Sequence, residues 1–400
     1  MDPKIKKKHL LIATDNFFPR WDGIVRFLLE ILPKLSEKYK VTVIAPQFNM
    51  TPEDLQKESL RKDYTVVRCR NFNFMIGDFP PARPELKKIS KLTSEADIVF
   101  TQTIGPIGAS TIYYAKKHNK RVAAFTHSLE WDLVAKSIGV PDFLRRGAHG
   151  LTKRIAKFLY NKCDMMLVPS MEVSEIMTWM RIKSRKKIVH LGTDTNRFVP
   201  PKDKEIAKKN IDIDPKKYVI GFCGRLGREK NLITLHRAFL RLEKSRKDVM
   251  LLIVGDGVKE IRQLFENKKN IKFVGMQDDV APFLQAMDIY VLPSLTETSS
   301  LSTMEAMSSG CACISTPVGY VKDYIIEGYN GMFFPPEQPY VLSRKIEALL
   351  DEPEKIKKIG ENARKTMVNE YAWSRTIEEI EAGLDELASM SDRSKKDEEE

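Results

Sequence analysis

Short apolar runs alternate with segments of helical period along this chain, and midway the alternation starts again. "HLLIAT" (9–14), "VTVIAP" (41–46), "DIVFTQ" (97–102), "RVAAFT" (121–126) and "MMLVPS" (165–170) form the first series. "KYVIGFCG" (217–224), "VMLLIVGDG" (249–257), "IKFVG" (271–275), "DIYVLPS" (288–294) and "CACISTP" (311–317) form the second. These runs are rich in β-branched residues and lack the in–out alternation of a strand with one wet face. Both series therefore read as buried parallel strands. Parallel neighbours need crossover connections, and the intervening segments supply helices. "GIVRFLLEILPKLSEKY" and "FLRRGAHGLTKRIAKFLYNKC" carry that spacing. In the second, Leu144, Ala148, Leu151, Ile155 and Phe158 make one apolar stripe, with Arg145, Lys153, Arg154 and Lys157 mostly off it.

Between the two series lies "HLGTDTNRFVPPKDKEIAKKNIDIDPKK", which is polar, proline-containing and weakly periodic. The expected fold class is α/β, with two Rossmann-like doubly wound domains facing across a cleft. The domains span 1–200 and 201–370, with the boundary near Pro200, and the tail 389–400 is expected to be disordered. With 400 residues and a 42% hydrophobic fraction, each domain can build its own core.

No apolar run reaches the roughly 18 residues that cross a bilayer. The basic N-terminus precedes an apolar stretch too short for a signal peptide, so that stretch reads as the first strand. Cys69, Cys163, Cys223, Cys311 and Cys313 have no framework spacing, and a reducing cytoplasm is expected. Cys311-Ala-Cys313 sits in an apolar run and reads as buried strand, not as a metal site. Charge is uneven: residues 1–200 carry +15 and residues 201–400 carry −3, which gives the net +12. A basic half attracts polyanions such as nucleic acid, anionic lipid or a nucleoside diphosphate. The absence of aromatic-interleaved basic motifs and of a reader module argues against nucleic acid.

Three stretches carry candidate chemistry. "DNFFPRWDGIVRFLLEIL" puts Gly23 at a helix start, where backbone amides can approach a phosphate. It is not G-x-G-x-x-G, so a nicotinamide dinucleotide is not indicated. "GFCGRLGREKNLITLHRAF" places Arg225 and Lys230 between a strand and a helix, a planar fork and a point charge suited to a diphosphate. "TETSSLSTMEAMSSG" sets Glu297 and Glu305 eight positions apart around small hydroxyl residues. Its helix should start near Ser299 or Ser300 as an N-cap hydroxyl and stop at Gly310, with Leu301, Met304 and Met307 as its apolar face. The free amides of Leu301 and Ser302 then offer a seat for an anion. The carboxylates, which an anion would repel, accept from sugar hydroxyls: Glu305 from a ribose and Glu297 from a hexose. Amides for an anion beside carboxylates for diols describe a site for a nucleotide sugar. "DID" (212–214) looks like the D-x-D of metal-using transferases but precedes Pro215 in a polar segment, and reads as a turn.

Taken in order, "DNFFPRWDGIVRFL", "DIVFTQTIGPIGAS", "AAFTHSLEWDL", "MMLVPS", "GRLGREKNL", "IVGDG", "IKFVGMQDDVAPFLQAMDIYVLPS" and "TETSSLSTMEAM" resemble the retaining glycosyltransferases of family four, which have the GT-B fold. The likeness runs over about residues 9–385. It implies that Gly23, Arg225, Lys230 and the amides of Leu301 and Ser302, beside Ser300, hold the donor diphosphate. Glu305 would take the ribose and Glu297 would sit against the transferred sugar, while His127 would match the active-site histidine that hydrogen-bonds the donor hexose. A final helix, 371–388, would pack back on the first domain. Two departures stand out: Asp22-Gly23 replaces the common Gly-Gly, and Ser300 replaces a common Gly. A small polar residue followed by Gly in the first loop, together with "TET" (296–298), looks more like members that glycosylate lipids such as diacylglycerol.

The resemblance implies transfer of a hexose with retention, without a metal or cofactor, from a UDP-hexose or GDP-mannose to a hydroxyl acceptor. The expected acceptor is a membrane lipid. The alternatives are the same chemistry on a soluble sugar or glycan, or a non-enzymatic binder of nucleotide sugar or nucleic acid. The basic first half suits a cytoplasmic protein resting peripherally on an anionic membrane, with "PELKKISKL" and "RIKSRKK" as contact segments.

Overall fold

The structure, a computed structural model, describes residues 7–20, 23–59, 63–74, 80–127, 131, 142–297 and 299–390. Two compact units divide the chain. The first draws on residues up to His190 and from Ile377 onward, and the second runs from Leu191 to Thr376.

The first unit is built on a seven-stranded sheet. Its strands are β1 (His9–Ala13), β2 (Lys40–Pro46), β3 (Thr65–Cys69), β4 (Ile98–Thr101), β5 (Arg121–Phe125), β6 (Met165–Val168) and β7 (Arg185–Ile188). Their order is β3-β2-β1-β4-β5-β6-β7, and every pairing is parallel. The interior strand β1 meets β2 at Leu10↔Val41 and β4 at Leu10↔Ile98. From Leu10 to Ala13 it is fully buried, which is why it reads as an unbroken apolar run. The second unit repeats the plan with β8 (Tyr218–Cys223), β9 (Val249–Val254), β10 (Ile271–Phe273), β11 (Ile289–Leu292), β12 (Ala312–Ser315) and β13 (Met332–Phe333). Its order is β10-β9-β8-β11-β12-β13, again parallel throughout.

In each sheet the winding reverses once, between β1 and β4 and between β8 and β11. Loops leaving the carboxyl ends of those strands turn to opposite faces and leave a crevice, where open α/β sheets bind ligands.

Three strands fall outside the expected set: β3, β7 and β13. The first two are edge strands of the seven-stranded sheet, and an edge needs neither full burial nor an apolar run. In β7, Arg185 and Lys187 reach Glu386, and the Lys186 amine donates to the carbonyls of Ile182 and Ser184.

The helix Asp142–Tyr160 corrects another expectation. Leu151, Ile155 and Phe158, taken as its apolar stripe, are exposed, and the helix enters the core through Ala156, Leu159 and Tyr160. The side chains of Leu144 and Arg145 lie outside the described residues.

The helix Trp373–Ser389 buries Ile380, Leu384 and Leu387. From Ile377 onward it belongs to the first unit, where Asp385 accepts from Lys38 at 2.6 Å and from the Tyr39 hydroxyl at 2.9 Å. Asp22 and residues 391–400, for which the sequence raised expectations, lie outside the described residues.

Candidate functional site

In the second unit the two loops at the winding reversal carry the candidate residues. β8 ends at Cys223, and residues 224–230 follow it. β11 ends at Leu292, and residues 293–300 lead into the helix Leu301–Ser308. The two loops are tied together, with the Leu295 amide donating to the Glu229 carbonyl at 2.8 Å. The buried Tyr290 hydroxyl extends the tie, donating to the Cys223 carbonyl at 3.3 Å and sharing a hydrogen bond with Ser302 Oγ at 2.9 Å. The β8 end also needs a close backbone approach. Gly255 has φ +125°, and a Cβ there would lie 2.0 Å from the Gly224 carbonyl oxygen.

Lys230 and Glu297 meet directly, with Nζ 2.5 Å from Oε1. The Ser294 hydroxyl donates to the same oxygen at 2.7 Å. The two side chains are 18% and 9% exposed, so the pair is largely removed from solvent. Oε1 is thus occupied, while Oε2 accepts no hydrogen bond among the described residues. Arg225 is 64% exposed and pairs with Glu229 at 2.7 Å. A solvated pair of that kind is worth about 0–1 kcal/mol and exchanges readily for another anion.

The helix start differs in detail from the expectation. Ser300 does occupy the cap position, but in the left-handed conformation (φ 48°, ψ 71°), and its hydroxyl makes no cap bond. The Ser300 hydroxyl pairs instead with Thr303 Oγ1 at 2.7 Å. The expected N-cap hydroxyl is therefore absent, because the left-handed turn aims it along the helix flank. The amides of Leu301 and Ser302 gain no acceptor from it and keep the partial positive charge of a helix N-terminus. The helix stops where expected, at Gly310 (φ +79°), with Met304 and Met307 buried and Leu301 half-buried. Glu305, one turn in, is 2% exposed. Tyr324 donates to the Ser299 carbonyl at 3.1 Å. Burial, and after it the charge of Glu297, holds this phenol well above its usual pKa, so it stays a donor.

In the first unit the loops after β1, β4 and β5 carry a second cluster. Gly23 opens the helix Gly23–Lys38, is exposed, and a Cβ there would meet nothing within 4 Å. One turn on, Phe27 packs edge-on to His127 with centroids 4.8 Å apart, and Phe125 lies 4.6 Å away on another side. His127 Nε2 is 2.9 Å from Gln102 Oε1. Burial among these rings lowers the His127 pKa to about 3, so the imidazole is neutral. Asp15, which the sequence reading passed over, joins the loops after β1 and β4. Its carboxylate accepts from Thr103 Oγ1 at 2.6 Å and from the amides of Ile107 and Gly108 at 2.8 and 3.1 Å, capping the helix Pro106–Lys117. Burial raises its pKa against the pull of those bonds.

Ser294, Glu229 and Gln102 were also missed as partners of candidate residues. Ser294 closes a strand motif, and Glu229 lies four residues after Arg225, so both carried a local signal. Gln102 closes the run "DIVFTQ", which gave no pointer to His127, 25 positions on. Asp212–Asp214 forms a turn in which Asp214 Oδ1 accepts from the Lys216 amide at 2.9 Å. All five cysteines are buried and free.

Comparison with known proteins fits this geometry. Residues 21–197 match the family described as Glycosyltransferase Family 4, and residues 203–366 match Glycosyl transferases group 1. Two parallel doubly wound units with these matches define a GT-B glycosyltransferase. The chain belongs to the family-four glycosyltransferases. It is 23% identical to the alpha-monoglucosyldiacylglycerol synthase of Streptococcus pneumoniae, over 93% of this chain and 82% of that protein. It is 25% identical to a GDP-mannose-dependent alpha-mannosyltransferase of Corynebacterium glutamicum, over 82% of this chain and 77% of that protein. The HepE structure from Anabaena in complex with UDP superposes with a TM-score of 0.76 at 18% identity, covering 94% of this chain and all of that one. These matches bear out the expected family and fold.

Proposed function

We propose that this glycosyltransferase moves a hexose from a nucleoside-diphosphate sugar to a hydroxyl of a diacylglycerol-type lipid, with retention at the transferred carbon. The observation that carries the reading is the Lys230–Glu297 pair at the β8/β11 reversal, next to the first-turn amides of the helix Leu301–Ser308. The ammonium of Lys230 has three donors and gives one to Glu297, leaving two for the diphosphate. Arg225, itself exposed, adds its fork by leaving the half-buried Glu229. Glu297, held on one oxygen, presents the other to a hexose hydroxyl. Glu305 takes the ribose.

As the glycosidic bond breaks, electrons pass to the leaving diphosphate, and fixed cations and amides stabilise that charge. The hexose becomes oxocarbenium-like. The acceptor hydroxyl attacks the same face and gives its proton to the departing phosphate oxygen. Positive charge for the leaving group comes from Arg225, Lys230 and the helix amides, so the scheme invokes no divalent ion. Neutral His127 hydrogen-bonds the hexose. Nothing in the backbone demands glycine at residue 23, which fits a glycine kept for close phosphate approach.

The lipid acceptor is supported by the diacylglycerol synthase among the relatives. The mannosyltransferase keeps GDP-mannose in view as donor beside the UDP-hexoses. A thermal-shift screen over UDP-glucose, UDP-galactose and GDP-mannose reads the donor, because a ligand that binds only the folded state raises its stability. Transfer assays with diacylglycerol in mixed micelles then test the site. Lys230→Ala and Glu297→Ala should each reduce turnover by about a hundredfold or more. Near-normal rates in both would remove the assignment.

A further inference from the structure

The face of the helix Asp142–Tyr160 turned away from the core carries large apolar side chains in the open. Leu151, Ile155 and Phe158 are 59%, 46% and 62% exposed. They fall at i, i+4 and i+7, on one side of the helix. Trp179, ending the helix Met171–Trp179, is 80% exposed. This is not a poorly filled core, because Ala156, Leu159 and Tyr160 already seat the first helix against the sheet.

The surrounding charge is of one sign. Arg146, Lys153, Arg154 and Lys157 lie on the helix and Lys162 just beyond it, with no acid from 143 to 162. Two of these cations rest on the exposed aromatics. Lys153 Nζ is 5.2 Å from the centre of the Trp179 ring, and Lys162 Nζ is 4.7 Å from that of Phe158. Lys153, Arg154, Lys157 and Lys162 form no ion pair among the described residues. Several cations elsewhere in this unit are matched by acids: Lys38 by Asp385, Lys116 by Asp164, and Lys88, Arg185 and Lys187 by Glu85 and Glu386. The last three belong to the segments that the sequence alone suggested for membrane contact.

We propose that this face docks on an anionic lipid surface, with Leu151, Ile155, Phe158 and Trp179 entering the acyl boundary and the cations at headgroup level. A helix with apolar side chains on one face and lysine and arginine beside them, their stems snorkelling, has the build of an interfacial anchor. A second copy of the chain fits poorly, because a two-fold contact through this face sets Lys153, Arg154 and Lys157 against their own counterparts. Nucleic acid fits poorly as well, since Leu151 and Ile155 offer neither stacking planes nor hydrogen bonds. The inference rests on the lipid-acceptor reading for its purpose but not for its test.

The test uses the full chain with vesicles of phosphatidylcholine, with and without phosphatidylglycerol, in the absence of any nucleotide sugar. Cosedimentation should favour the anionic vesicles and weaken with salt, at about fivefold in affinity per well-placed cation. Leu151→Ser/Ile155→Ser/Phe158→Ser should lose about tenfold or more in binding, with a melting temperature lowered by only a few degrees because roughly half of each side chain is already in water. If that variant misfolds, Arg154→Glu/Lys157→Glu carries the test through the charge alone. Trp179 emission should shift to the blue on anionic vesicles. Binding that ignores phosphatidylglycerol, or folded variants that bind like the parent, would overturn the proposal. So would a dimer, or an oligonucleotide complex, that the variants abolish while vesicles are not bound. A variant that leaves vesicles but still turns over acceptor in detergent micelles separates docking from catalysis. A parent that docks yet transfers nothing would count against the acceptor reading alone.

Discussion

Replacing Lys230 with methionine keeps the aliphatic stem and removes the cation, leaving Glu297 in a pocket where its side chain is 9% exposed. Removing one partner of a buried ion pair costs about 3–5 kcal/mol, because the survivor is charged and poorly solvated. Here the figure falls to about 2–4 kcal/mol, since the Ser294 hydroxyl still donates to Oε1 and the pair is not wholly sealed. Glu297→Gln, which strands the ammonium, should cost a similar amount. The double variant, with neither charge, should recover most of that stability, giving a coupling of about 2 kcal/mol or more. Chemical denaturation of the four proteins measures this cycle. Transfer should not follow the same pattern. If Lys230 holds the diphosphate and Glu297 the hexose, each single variant loses about a hundredfold or more in kcat, and the double variant stays inactive while its fold recovers. Activity returning with stability in the double variant would show that the pair is purely structural. A coupling near zero would show that the two side chains do not depend on each other.

Two further outcomes follow from the geometry. The His127 pKa is about 3 in the folded chain, against about 6.5 for an ordinary histidine. The unfolded chain therefore binds the extra proton between those values, and stability falls as pH drops from about 6.5 toward about 3, by up to about 1.4 kcal/mol per pH unit. His127→Gln should flatten that part of the profile in urea titrations, and an unaltered slope would refute the assignment of burial as the cause. Gly255→Ala forces a Cβ onto the Gly224 carbonyl at a φ that L residues avoid, so it should cost about 3 kcal/mol or more and weaken nucleotide-sugar thermal shifts; a melting temperature within about 2 °C of the parent would count against the close approach.

The interior strands of both sheets could be read from the sequence because each is buried on two faces and so written in consecutive apolar residues. β3 and β7 have one neighbour each, and "TVVRC" and "RKKI" carry residues that water and Glu386 can satisfy. Periodicity failed differently at the helix Asp142–Tyr160. Its apolar stripe is real, but the 3.6-residue period gives a face and not what the face meets. The core took a different side of that helix, through Ala156, Leu159 and Tyr160, and one leucine beside an alanine and a tyrosine makes a weaker stripe than Leu151, Ile155 and Phe158.

The site divides along the same line between local and distant partners. The helix Leu301–Ser308 and its stop at Gly310 are written in neighbouring residues. Spacing alone could assign Lys230 and Glu297 only to separate parts of a ligand, since 67 positions separate them. What joins them is the order of the strands. β11 pairs with β8 rather than with β10, so the segments after those two strands leave the sheet side by side on the same edge. Given that order, a cation after β8 and an acid after β11 can meet with no further adjustment. The same logic in the first unit brings Gln102, one residue beyond β4, to His127, two residues beyond β5, because those strands are adjacent. Gln102 closes the run "DIVFTQ", but nothing in that run points to His127, and it enters the site because the parallel register ends both strands at the same level.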